Sequence, residues 1–463
     1  MFKTDIALLY KDIEAYSGKE VTVAGWVKSV RDVKTFGFID LSDGTCFKGV
    51  QVVFNASDIK NYDKVAKLNT GSSVVCTGKL ILTPENKQPF EIVATNVDIV
   101  NETDSEYPLQ KKRHSIEFLR EIAHLRPRTN TFQAVFRIRS VAAMAIHSYF
   151  QDRGYLYVHT PLITCADCEG SDQMFKLTTM DFNNLPKTDD GKVDFSKDLF
   201  GKMSYITGSG QLQGETFAMA FSKIYTFGPT FRTENSNTKI HANEFWMIEP
   251  EMAFCDLEGL MDVEEDMLKY VVGYVMERCH DELEFCDKFI SNGLIDKLTK
   301  LVGSKFTRIA HKDVIDILKK AKVNWEFEPT YEGDISKEHE KYITEYFNGP
   351  VFITNWPKDI KAYYMKVNDD NKTVAAVDLV VPQAGELMGG SQREDNYEKL
   401  IGRMKEMGLE AGAIDWYLNL RKFGSCVHSG FGMGFERLII YLTGMENIRD
   451  VIPFPRTPKN CEF

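Results

Sequence analysis

Two stretches of this chain hold residues whose types and spacing could do chemistry. The first is Gly430-Phe431-Gly432-Met433-Gly434-Phe435-Glu436-Arg437. Glycines at every second position let a backbone pass close to a ligand. The residues after Gly434 read as a helix start, where unpaired N–H groups and the dipole attract anions. Arg437 adds a full charge, so the run suits a triphosphate; a glycine-rich strand packed tightly on a neighbour is the plainer alternative. The second stretch is Tyr225-Thr226-Phe227-Gly228-Pro229-Thr230-Phe231-Arg232-Thr233-Glu234, a polar loop over 235–243, then Glu244-Phe245-Trp246-Met247-Ile248-Glu249-Pro250-Glu251. It reads as two antiparallel strands joined by a long loop. Arg232 and Glu234 share a face, as do Phe245, Met247, Glu249 and Glu251. A guanidinium fork suits carboxylate or phosphate oxygens. A carboxylate accepts from an adenine amino group, and Phe245 offers a stacking ring. A cross-strand Arg–Glu ion pair would account for part of this without any ligand.

These residues need elements to hold them. At 463 residues the chain should form two or three domains. Residues 20–100 predict a small β domain with strands over 20–30, 36–41, 49–54, 72–82 and 90–100, and a helical segment over 57–68 before the fourth. That is the pattern of an OB-fold barrel. Phe36 and Phe38 lie two apart, so they share one face of a strand. The expected organisation is an OB domain over 1–103, a hinge over 104–130 and a larger domain over 131–463. The last begins with a long helix over 131–152 and carries a helix-rich insertion over about 257–347. Its strands and helices mix without regular βαβ alternation, which favours an α+β domain with an antiparallel sheet flanked by helices.

Composition excludes some classes. No apolar run of about 18 residues exists, so no membrane span is expected, and the start MFKTDIALLYKD, which carries acids and lacks an apolar run, argues against a secretory signal. The expected location is the cytoplasm. Nine scattered cysteines make no disulfide framework; Cys165-Ala166-Asp167-Cys168 lacks the second pair that a zinc site needs. The net charge of −11 disfavours a protein that coats nucleic acid nonspecifically. A local basic face remains possible from Lys111, Lys112, Arg113, Arg120, Arg126 and Arg128, which read equally as a solvated linker.

Gly154-Tyr155-Leu156-Tyr157-Val158-His159-Thr160-Pro161, Phe231-Arg232-Thr233-Glu234 and the 430–437 run resemble, in order, the three signature motifs of class II aminoacyl-tRNA synthetases. With an N-terminal OB domain the chain looks like the subclass for aspartate, asparagine and lysine, over essentially its whole length. The stretch 222–238 and the ending Asp450-Val451-Ile452-Pro453-Phe454-Pro455-Arg456-Thr457-Pro458 look specifically like the bacterial-type asparaginyl enzymes. The resemblance implies adenylation of an amino acid by ATP and transfer to tRNA. It assigns Arg232 to the amino-acid carboxylate and α-phosphate, Glu234 and Phe245 to adenine, and His241 to the pyrophosphate end. Arg437 falls to the γ-phosphate, with Gly434, Phe435 and Glu436 around it. Glu386 and Asp378 become ligands of Mg²⁺, a hard cation that suits such oxygen donors. Pro161 would lie in a homodimer interface, although a proline ending a strand is an equal reading.

The resemblance also bears on amino-acid choice. Residues 168–175 match the mobile loop over the substrate ammonium group. The usual Gly-Ala-Gly-Glu is here Gly170-Ser171-Asp172-Gln173, which makes Glu169, with Ser171, the candidate contact. Ser209-Gly210-Gln211-Leu212-Gln213-Gly214-Glu215 matches the segment beside the side-chain pocket, with Gln211 and Glu215 in it. Aspartyl enzymes carry lysine where Gly214 stands. One cation, Arg393, and one carboxylate, Glu249, suit an amide, whose oxygen would accept from Arg393 while its NH₂ donates to Glu249. Aspartate would set like charges together. L-Asparagine is therefore the expected substrate. In the OB domain Phe38, Gln51 and Arg31 are the anticodon candidates. The alternatives are an aspartyl enzyme charging one or both tRNAs, a noncatalytic RNA-binding paralog, and an amide-forming paralog, which would lack the OB domain.

Overall fold

The computed structural model describes residues 3–463 apart from 87, 167, 169–173, 237, 410 and 411. The chain divides into two compact units, residues 1–134 and 135–463.

The first unit is built on the strands Glu20–Asp32, Phe36–Ser42, Val50–Asn55, Ser73–Leu82 and Phe90–Asn101, which close into a barrel with the fifth strand between the third and fourth. Inward positions alternate with outward ones. Val23, Ile39, Leu41, Val52, Phe54, Cys76, Leu80 and Ile92 are fully buried and fill the interior. The helix Tyr62–Val65 precedes the fourth strand, within the expected helical segment. Phe36 and Phe38 stand on one outward face, rings 5.5 Å apart and nearly perpendicular. Of the cations grouped into a basic face, Arg126 does not belong there. It is fully buried with its guanidinium 4.4 Å from the Phe132 ring. The polar segment 104–130 contains the helix Ile116–Glu121 and the turn Arg126–Arg128.

The second unit opens with the helix Asn130–Asp152, whose first residues belong to the unit before it. Its sheet has eight strands, in order Thr307–Ala310, Val351–Pro357, Thr373–Val381, Gly385–Gln392, His428–Gly434, Glu244–Ala253, Lys223–Phe231 and Leu156–Tyr157. The six central strands are antiparallel, as expected. The two outermost pair in parallel with their neighbours, which the irregular strand spacing had not revealed. The helix-rich segment supplies the helices Leu257–Arg278, His280–Phe289, Leu294–Gly303, His311–Lys320 and Lys337–Tyr346, and also the edge strand Thr307–Ala310. It is therefore woven into the sheet.

Period-two alternation sorts the sheet into two faces. On His428–Gly434, Phe431 and Met433 are buried at 1% and 0% exposure. Full burial of side chains of this size is worth roughly 1.5–3 kcal/mol each. The alternate residues are the three glycines, and they leave the other face open. The helix Phe435–Thr443 continues directly from this strand and is stopped by Gly444 in the left-handed conformation, φ 72°.

Candidate active site

The open face is occupied by side chains from the strand Glu244–Ala253. A Cβ added to Gly430 would fall 2.2 Å from the Glu251 carboxylate, and one on Gly432 would fall 2.8 Å from Met247 Cε. The glycines thus make room for the neighbouring strand's side chains, as the plainer reading of the run proposes, and Gly432 and Gly434 also line a cavity. That cavity, about 200 Å³, is further lined by Arg232, Glu234, His241, Phe245, Met247, Glu386, Glu436 and Arg437. Residues from three separate stretches of sequence therefore meet at one site. The Arg232 guanidinium lies 5.5 Å from the Phe245 ring centroid. His241 Nε2 lies 3.8 Å from Glu234 Oε2. The loop between the strands is tied down at both ends. Asn243 Nδ2 donates to the Arg232 and Glu234 carbonyls at 2.8 and 3.0 Å, and the Asn243 amide donates to the Arg456 carbonyl at 2.8 Å.

Of the residues assigned to this cavity, Phe435 turns away from it, and Glu436, although it lines the wall, has its carboxylate engaged by other parts of the protein. The Phe435 ring is 2% exposed, packs edge-on to Phe227 at 5.0 Å and lies under Arg139, so its side chain is core, on the far side of the helix start. The Glu436 carboxylate is bound by Arg139 Nη2 at 2.7 Å and by the Trp246 amide at 2.9 Å. It joins the long helix to the strand Glu244–Ala253 and holds the helix start in place.

At the other end, Arg437 Nη1 lies 3.4 Å from Glu386 Oε2 and donates to the Glu386 carbonyl at 3.2 Å. Glu386 Oε1 and Asp378 Oδ1 converge over Gly389. A Cβ there would lie 3.1 and 3.4 Å from them, and glycine leaves that space open. Two carboxylate oxygens facing one small gap are a donor set that fits Mg²⁺. Burial raises the Asp378 carboxyl, Lys361 at 2.7 Å opposes this, and Glu386 adds to the rise.

The amino-acid candidates fall into two groups. The Glu249 carboxylate accepts from Ser209 Oγ, from the Gly210 amide at 3.0 Å and from Thr226 Oγ1 at 3.0 Å. These fix its orientation and leave it limited spare acceptor capacity. Arg393, 3% exposed, is forked onto Glu251, with Nη2 at 2.5 Å and Nε at 3.2 Å, and donates to Ser391 Oγ at 2.9 Å. Glu251, singled out in the sequence only as part of the strand pattern, is thus the direct partner of Arg393. Glu215 is fully buried and does not face open space. It receives Arg421 Nη2 and Tyr417 Oη, each at 2.8 Å, His428 Nε2 at 3.0 Å and Gln211 Nε2 at 3.1 Å. Burial alone would raise its carboxyl, but Arg421 first, then His428 and Arg393, hold it well below the usual range. For Glu251 burial prevails over Arg393, and its carboxyl is raised. Gly214 sits beside Glu251, 3.7 Å from added Cβ to Cγ. Glu169 and Ser171 lie outside the described residues. Sequence reasoning missed Arg421 and Tyr417, which no motif marks, and His428, which stands two residues before the first glycine of the run.

On the barrel, Arg31 lies 5.1 Å from the Phe38 ring, and Gln51 Nε2 donates to Glu91 at 3.0 Å. Among the described residues, Cys165 and Cys168 belong to no metal-binding cluster, and neither is in a disulfide. No described helix is long and apolar enough to cross a membrane.

The family model for class II tRNA synthetases (D, K and N) matches residues 115–458, and that of the OB-fold nucleic acid binding domain matches residues 21–100. The chain belongs to the class II tRNA synthetases of this D, K and N group. It is 56% identical to the asparagine–tRNA ligase of Acetivibrio thermocellus over 100% of both chains, and 54% identical to that of Acholeplasma laidlawii over 99% of both. Its fold is similar to that of asparaginyl-tRNA synthetase from Pyrococcus horikoshii complexed with asparaginyl-adenylate, with a TM-score of 0.87, 31% identity and 100% of each chain covered.

Proposed function

We propose that this chain activates L-asparagine with ATP, forming asparaginyl-adenylate and pyrophosphate, and transfers the asparaginyl group to tRNA(Asn) with release of AMP. The observation that carries the reading is the convergence of Arg232, Glu234, Phe245, Glu386 and Arg437 on one cavity, in a chain similar end to end to asparagine–tRNA ligases. Arg232 bridges the amino-acid carboxylate and the α-phosphate and stabilises the charge that develops as carboxylate oxygen attacks phosphorus. Phe245 stacks on adenine and Glu234 accepts from its amino group. His241 stands at the pyrophosphate end, and Arg437 holds the γ-phosphate. No covalent enzyme intermediate is needed, so catalysis is positioning and electrostatics. Asp378 and Glu386 hold Mg²⁺, which supplies neutralising charge to the phosphates when bound.

Arg393 donates to the side-chain amide oxygen and Glu249 accepts from its nitrogen, while Glu169, Ser171 and Gln211 complete the amino-acid pocket and Glu215 supports it. The barrel reads the anticodon through Phe38, Arg31 and Gln51. The domains divide as an anticodon domain over 1–103, a hinge and a catalytic domain from 131. Around Pro161, the exposed Leu156, Tyr157, Leu162 and Ile163 support pairing with a second copy into a homodimer. The chain works in the cytoplasm.

Amino-acid-dependent ATP–pyrophosphate exchange tests the central claim. Exchange driven by asparagine and not by aspartate is expected. Exchange driven better by aspartate would overturn it in favour of an aspartyl enzyme, and no detectable ATP binding in calorimetry would favour a noncatalytic paralog.

A further inference from the structure

Behind the proposed amino-acid pocket lies a second guanidinium that the reading above leaves without a task. Arg421 is 7% exposed. Its Nη2 lies 2.8 Å from Glu215 Oε2 and 2.8 Å from Tyr417 Oη, and its Nε donates to the Glu394 carbonyl at 2.9 Å. Its Nη1 is buried and has no hydrogen-bond partner. Glu215, itself at 0% exposure, stands between the two arginines, with Oε1 4.0 Å from Arg393 Nε and Oε2 on Arg421. One carboxylate therefore separates the guanidinium that faces the substrate side chain from one that does not.

We propose that the Glu215–Arg421 pair is a specificity determinant: Glu215 cancels the charge of Arg421, so that the pocket offers an asparagine-sized side chain one guanidinium already forked onto Glu251, and a carboxylate finds no cation in excess. The proposal rests on the assignment of Arg393 to the substrate side chain. Its physical basis is charge balance in a desolvated place. Buried charges are screened little, and a buried guanidinium without a counter-ion is costly. If Glu215 loses its charge, Arg421 gains that deficit. The cheapest remedy is an anion entering the adjoining pocket, and the β-carboxylate of aspartate is an anion of the right length. Asparagine brings no charge and gains nothing. Neutralising Glu215 removes one negative charge from the region, so the expected direction is toward an anion in the pocket.

The test uses the full chain and pyrophosphate exchange with each amino acid. Glu215→Gln keeps an acceptor for Tyr417 and Arg421. It is expected to raise the ratio of aspartate to asparagine kcat/KM roughly tenfold or more. The double variant Glu215→Gln/Arg421→Gln removes both charges and is expected to return the ratio to within about twofold of the parent. A folded Glu215→Gln with an unchanged ratio overturns the proposal, as does a folded double variant whose ratio stays high. Should Glu215→Gln fail to fold, Arg421→Gln alone still decides: it leaves an extra buried negative charge and must lower the aspartate ratio, and a rise sinks the idea. Arg393→Gln separates this from the reading it rests on. If that variant still activates asparagine normally, the pocket assignment fails; if it does not, and the Glu215 series is flat, only the present inference fails.

Discussion

Arg437 and Glu386 are each other's partner, Nη1 to Oε2 at 3.4 Å, although one belongs to a helix start and the other to a separate strand. In the proposed function the first meets a phosphate and the second a metal. The pair is thus a placeholder in which each charge occupies the other's ligand position. Both groups are part-exposed, so the pair itself is weak, worth at most about 1 kcal/mol. Glu386→Gln should therefore leave thermal stability within a degree or two of the parent while it lowers the affinity for Mg²⁺·ATP at least tenfold. Differential scanning fluorimetry and calorimetry together check this.

Arg232→Ala should abolish pyrophosphate exchange while tRNA binding in a filter assay stays within about twofold, because the guanidinium sits over Phe245 in the proposed ATP cavity and not on the barrel. Equal loss of both activities would mean that Arg232 supports the fold.

The barrel gives the opposite split. Phe38→Ala removes a half-buried outward ring against which Arg31 rests. Loss of base stacking costs roughly 1–3 kcal/mol. Charging of tRNA should fall ten- to hundredfold, with exchange unchanged. A parallel fall in exchange would remove Phe38 from anticodon reading.

The proposed metal ligands should show a pH signature. Burial pushes the Asp378 carboxyl up to about 6, against Lys361 and with Glu386. A divalent ion needs the ionised form, so apparent Mg²⁺ affinity should fall about tenfold per pH unit below about 6 and level off above it. Folding stability runs the other way. A raised carboxyl favours the folded state below its ordinary value near 4, and that contribution is lost as pH rises through about 6. Mg²⁺ should therefore stabilise the protein more at pH 7 than at pH 5, as read by the shift in Tm.

The glycines of the sheet face differ in tolerance. Gly430→Ala sets a methyl 2.2 Å from the Glu251 carboxylate, which is pinned by Arg393 and cannot step aside. It should cost about 1–3 kcal/mol and most of the activity. Gly432→Ala meets the flexible end of Met247 at 2.8 Å and should cost less than half as much. Chemical denaturation of both variants decides the order.

Much of this was legible in the sequence because it is local. The barrel strands follow from alternation and turn residues, and the expected ends lie within two residues of those observed. Arg232, Glu234 and Phe245 sit on one hairpin, so period two was enough to bring them together. What escaped depends on side chains meeting across long separations. Arg421 reaches Glu215 over 206 positions, and nothing near either residue announces the other. Phe435 was placed in the cavity by its position in a motif, whereas the first turn of the helix points its ring into the core against Phe227. Likewise the glycine run is legible as a flat strand, but that the flatness accommodates Glu251 and Met247 depends on the strand beside it.

The loop that closes the proposed ATP cavity is held by distant parts of the chain. The Asn243 amide reaches the Arg456 carbonyl and the Ile448 amide reaches the Lys239 carbonyl at 2.8 Å, while the helix start beside the cavity is held by Arg139, which reaches Glu436 across 297 positions. Contacts of such high sequence separation form late in folding, since their loop-closure entropy is recovered only once the intervening sheet is in place. Nucleotide affinity should then be absent from every partly folded species and arrive with the final cooperative step. ATP added during refolding would leave the folding rate unchanged and slow unfolding, making the ligand a reporter of completed structure rather than a nucleus for it.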